Sequence, residues 1–123
     1  MKLTNLDMEQ MVGTLQKHLD RTDIIGYAAA RNVRKLRDEL HEYMQAREGL
    51  LRDYGEEIKD EDGNPTGKVR VPIDSERYPE FLERFKEFAT IEHEPDIFKI
   101  KFEEAIGKIS GTELLEIEWM FED

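Results

Sequence analysis

Between Ile25 and Tyr54 apolar residues fall at Ala29, Val33, Leu36, Leu40, Tyr43, Leu50 and Tyr54, separated by 4, 3, 4, 3, 7 and 4 positions. That spacing predicts one long helix with a single apolar seam of heptad type. Arg47 interrupts the seam, but its methylene stem can lie along the contact while the guanidinium lifts to the edge. About thirty residues at 1.5 Å per residue make a rod of roughly 45 Å, longer than a domain of this size is wide. The seam therefore needs cover from the preceding helix, from the elements that follow, or from a second copy of the chain.

Upstream, Met8, Met11, Val12, Leu15 and Leu19 recur at helical spacing behind Thr4 and Asp7, a capping-box start, which predicts a first helix from about Asn5 to Leu19. The short polar link Asp20 to Asp23 makes the two helices an antiparallel hairpin, with Thr22 or Asp23 as the cap of the second. Downstream of Gly55, the segments Glu56 to Lys59 and Lys68 to Val71 flank a turn-rich run and predict a β-hairpin with Ile58, Val69 and Val71 inward. Tyr78, Phe81, Leu82, Phe85, Phe88 and Ala89 form an aromatic stripe on a third helix from about Glu76, with Pro79 in its first turn. Thr90 to Glu94 and Ile97 to Phe102 read as extended, the second alternating Phe98, Ile100 and Phe102 with Lys99 and Lys101. A short final helix follows Ser110 or Thr112. The expected fold is α+β: an N-terminal antiparallel helical hairpin with one long helix, a small antiparallel β-sheet and two further helices, all in a single domain of 123 residues.

Charge sharpens this picture. The chain carries a net charge of −11. Met1 to Tyr54 holds nine acidic and nine basic side chains, whereas Gly55 to Asp123 holds twenty acidic and nine basic, so the whole excess lies in the second part. Glu76, Glu80, Glu83, Glu87, Glu92 and Glu94 are the candidate acidic face. Against that background Arg31, Arg34, Lys35 and Arg37 place four positive charges within seven residues of the long helix, with Arg34–Asp38 and Lys35–Glu39 available as pairs one turn apart. A concentrated basic surface is what nucleic-acid binding requires, so the overall charge argues against nucleic acid as a partner.

Candidate chemistry is sparse. There is no cysteine, which removes disulfides, thiolate metal sites and cysteine nucleophiles. Asp60, Asp62 and Asn64 have the spacing of calcium-loop ligands, but Pro65 stands where the turn glycine belongs and Val71 where the bidentate glutamate belongs. Glu92, His93 and Glu94 are consecutive, and neighbours along a strand point to opposite faces, so His93 cannot join the two carboxylates around a metal. No phosphate loop, nucleophile elbow or paired-histidine helix is present. The expectation is a non-enzymatic protein without cofactor or metal. Met1 to Asp20 contains no apolar run of signal-peptide length, and no stretch reaches the 18 or so apolar residues of a membrane span, which points to a cytoplasmic protein.

The helix bearing Ala30 to Leu36, continuing through Arg47 to Tyr54 and Gly55, then Asp62, Gly63 and Asn64, the aromatic helix and the closing Leu114 to Met120 resemble a family of small phage and prophage proteins of Gram-positive bacteria, from about Leu6 onward. The resemblance implies a phage accessory protein and brings no catalytic residues. Two functions then compete: a protein-binding module of virion assembly or structure, or an acidic inhibitor of a host nucleic-acid-handling or defence protein. Self-association is expected through the uncovered seam at Tyr43, Arg47, Leu50 and Tyr54.

Overall fold

The computed structural model describes residues 1–123. They divide into two compact units, one of Met1–Leu40 with Glu92–Asp123 and one of His41–Ile91. The α+β expectation holds, with helix α2 (Ile24–Tyr54) supplying residues to both units. No helix is long and apolar enough to cross a membrane.

The first unit opens with β1 (Leu3–Thr4) and α1 (Asn5–Leu15). The capping box is formed: the Thr4 hydroxyl accepts from the Asp7 amide, and the Asp7 carboxylate accepts from the Thr4 amide, each at 3.0 Å. Regular helix stops four residues short of the expected end, because Gln16–His18 tighten into a 3-10 turn. Asp23 then caps α2, its carboxylate accepting from the Gly26 amide at 3.1 Å. The core holds Met8, Leu15, Ile25, Ala29, Val33, Leu36 and Leu40 from these helices and Ile100, Ala105, Ile117 and Met120 from the returning chain.

Three separate two-stranded ladders replace the single small sheet. Within the first unit β1 pairs antiparallel with β4 (Glu92–His93), Leu3 opposite His93. β5 (Ile100–Lys101) pairs parallel with β6 (Phe121–Glu122), which follows α4 (Gly111–Ile117) and its own Ser110–Glu113 capping box. The expected strand Ile97 to Phe102 shrinks to Ile100–Lys101 for a physical reason. Both backbone polar groups of Phe98 are taken by a side chain: the Asn32 amide donates to its carbonyl and the Asn32 carbonyl accepts from its N–H, both at 2.8 Å. Phe102 begins a 3-10 turn and is exposed.

In the second unit β2 (Glu56–Lys59) and β3 (Pro65–Arg70) form the expected hairpin, with an irregularity between Glu57 and Lys59. Asp60 closes the loop by accepting the amides of Asp62 and Asn64. Of the inward candidates Ile58 and Val71 are half-buried, but Val69 is exposed along with all of β3. α3 (Tyr78–Ala89) carries the aromatic stripe, and Phe81 and Phe85 stack at 6.1 Å between ring centres.

Candidate functional site

The seam residues expected to meet a second copy meet α3 of their own chain. Tyr43 and Phe85 rings lie 6.3 Å apart, and Tyr54 and Phe81 rings 6.1 Å apart. Arg77 sets its guanidinium 4.2 Å from the Tyr54 ring centre and donates to the Asp53 carbonyl at 2.9 Å. Tyr43 and Leu50 are buried within the chain, and Arg47 lies against Tyr43 with its guanidinium 5.7 Å from the ring. This is the stem-along-the-seam placement that a long cation in an apolar stripe favours. The aromatic helix closes the stretch that the sequence left open.

The acidic candidates divide between the units. Glu76, Glu80, Glu83 and Glu87 belong to the second and are all exposed; Glu92 and Glu94, also exposed, belong to the first. Glu80, Glu83 and Glu87 step by 3 and 4 along α3, which centres them on the side opposite the stripe of Tyr78, Phe81 and Phe85, whereas Glu76 lies in the turn before the helix begins. None of the four takes part in an ion pair, so each carboxylate stands bare to solvent.

The basic candidates are gathered by the first unit. Arg31, Arg34 and Lys35 line one hollow of about 440 Å³ together with Tyr27 and Ala30. Arg34 and Arg37 line a second of about 370 Å³ with Leu19, Ala30, Val33 and Asp38. Ala30 and Arg34 are common to both, so the hollows adjoin along α2. Arg31 is held in place: its guanidinium lies 4.4 Å from the Phe98 ring centre and donates to the Tyr27 hydroxyl at 3.3 Å. Tyr27 and Phe98 in turn meet edge to face at 5.8 Å. Neither of the helix pairs open to these residues, Arg34 with Asp38 and Lys35 with Glu39, forms, and Lys35 and Glu39 take longer-range partners instead. Lys35 donates to the Asp96 carbonyl at 2.9 Å with the Asp96 carboxylate 3.5 Å away, and Glu39 lies 3.2 Å from Nδ1 of His93. β4 supplies His93 and the segment after it supplies Asp96.

Tyr27, Phe98 and Asn32 were not among the candidates, yet they order this site. A signal exists for two of them. Tyr27 is four residues before Arg31, and Asn32 lies three after Ala29 and four before Leu36, on the seam itself, where a polar side chain calls for a buried partner. A third hollow of about 440 Å³ is lined by Leu3, Met11 and Trp119 with Asp7 and Glu116. Both carboxylates there are engaged, Asp7 in its cap and Glu116 with Lys17 at 3.1 Å.

Arg21 grips Asp23 through three contacts of 2.6 to 3.2 Å. Those hydrogen bonds, helped by the Gly26 amide, hold the Asp23 carboxyl down at about 2. The Ser110 amide and hydroxyl likewise lower the Glu113 carboxyl. Both groups lie at helix starts and shape the scaffold of the first unit.

No protein-family model, no curated protein and no solved structure matches the chain.

Proposed function

We propose that this chain is a non-enzymatic protein-binding module, a phage or prophage accessory acting in the host cytoplasm, which engages a basic partner through the outer side of α3. One observation carries this reading. Glu80, Glu83 and Glu87 form an exposed stripe on α3 without ion partners, with Glu76 exposed in the turn just before it, and the other side of the helix is fixed by stacked rings. From Glu80 to Glu87 the helix rises about 10 Å, so three negative charges recur about every 5 Å along a rigid support. A groove that takes the phosphates of nucleic acid is complementary to such a stripe, which favours a host nucleic-acid-handling or defence protein as the partner.

Virion assembly is the second reading. It drew on self-association through Tyr43, Arg47, Leu50 and Tyr54, and the burial of Tyr43 and Leu50 in the chain's own second unit removes most of that surface. Assembly then requires a phage structural protein as partner rather than a second copy.

Salt and charge separate the readings. The wild-type chain and an E76Q/E80Q/E83Q/E87Q variant are each used to capture proteins from host lysate at 0.05 M and about 0.5 M salt, where the Debye length is roughly 4 Å. A partner retained by the wild type at low salt, lost at high salt, lost with the variant and displaced by duplex DNA is the expected result. Equal capture by the variant would refute the acidic-stripe reading.

A further inference from the structure

The first unit holds a site of opposite character, independent of the acidic stripe. Arg31, Arg34 and Lys35 line a hollow whose remaining walls are the Tyr27 ring and the Ala30 methyl. Lys35 is accounted for, since Asp96 takes its hydrogen bond and stands beside its charge. Arg34 makes no ion pair, and Arg31 is ordered by a ring face and a neutral hydroxyl rather than by an acid. Two uncompensated positive charges therefore face the same space.

The geometry points to a binding site for a phosphomonoester carried on a small organic body. A phosphomonoester brings close to two negative charges at neutral pH and three acceptor oxygens, which matches two guanidiniums without acid partners, with a lysine and a phenol at hand. Arg31 is set in advance by Phe98 and Tyr27, so little side-chain freedom is lost on binding. A volume of about 440 Å³ is ligand-sized, larger than phosphate alone needs, and the adjoining hollow, which Arg37 and Asp38 also line, offers Leu19 and Ala30 to an apolar body. A long polyanion fits less well, because the unit that holds the site carries sixteen acidic against ten basic side chains and repels charge that extends beyond it.

The probe is phenyl phosphate, titrated in phosphate-free buffer at 0.05 M salt and followed by amide chemical shifts, with inorganic phosphate, benzoate and a short DNA duplex as competitors. Saturable shifts confined to residues 27–37 and the Phe98 region are expected, with phenyl phosphate binding more tightly than inorganic phosphate or benzoate. R34Q should weaken it about tenfold through loss of one charged hydrogen-bonding partner, whereas K2Q, at an exposed lysine near the start of the same unit, should leave it unchanged. R34Q alters an exposed side chain, and an unchanged far-UV spectrum verifies that it folds. Equal binding of all anions, equal effects of R34Q and K2Q, or tighter binding of the duplex than of phenyl phosphate would each overturn the assignment.

Discussion

Asn32→Ala tests the link between the long helix and the returning chain of the first unit. Asn32 is wholly buried, and its side chain satisfies both the N–H and the carbonyl of Phe98 at 2.8 Å. Truncation removes two hydrogen bonds, each contributing about 1 kcal/mol net, and leaves two part-buried backbone groups without partners at about 0.5–1 kcal/mol each. The sum, about 3 kcal/mol, is a large share of the ~5–15 kcal/mol by which domains are stable. Urea unfolding followed by circular dichroism measures it, and hydrogen exchange at the Phe98 amide locates it. Asn32→Asp separates donor from acceptor: its carboxylate still accepts from the Phe98 amide but opposes the Phe98 carbonyl, so it should fare no better than alanine. A loss under about 1 kcal/mol in the alanine variant, with Phe98 still protected from exchange, would refute the clamp.

Acid should unfold the first unit in part through Asp23. Its carboxyl is held at about 2 against an ordinary value of 3.8, chiefly by the Arg21 hydrogen bonds, so the contribution is complete above about pH 4 and fades as pH falls towards 2. Asp23→Asn should be less stable at neutral pH and show a shallower acid limb in a stability–pH profile. Gly26→Ala should cost about 1–3 kcal/mol, because a Cβ there collides with the Arg21 backbone carbonyl and carbon, which cannot swing aside; thermal melting reads this. Phe85→Ala removes the ring between Tyr43 and Phe81 and should cost about 2–4 kcal/mol in urea unfolding, given that the ring is half-buried.

Strong local periodicity made most of the helices legible. The long helix was readable to within one residue at its start because seven seam positions repeat the same spacing, and the Thr4–Asp7 and Ser110 caps are local chemistry that a few adjacent residues specify. The ladders of the first unit were not legible as pairings. Leu3 and Thr4 pair with His93 and Glu92 over only two residues, and Ile100 with Phe121 in parallel, so neither leaves an alternation to read. The alternation that was present, Phe98 to Phe102, misled because Asn32 captured the backbone groups a strand would have used. For the candidate surfaces, sequence located the charges but not their partners. Arg31, Arg34 and Lys35 do line one space, yet Lys35 turns to Asp96 and Glu39 to His93, contacts 61 and 54 positions apart that helical spacing cannot announce.

α3 closes the seam of the long helix, which leaves the charged surfaces rather than the apolar stripe to meet partners. Light scattering at 0.05 M and again at about 0.5 M salt, where charge contacts are screened within roughly 4 Å, tests this directly. The monomer mass of 14.5 kDa at both salt concentrations is the expected result. A doubled mass that persists at high salt would contradict it, placing Tyr43, Arg47, Leu50 and Tyr54 in an interface between copies.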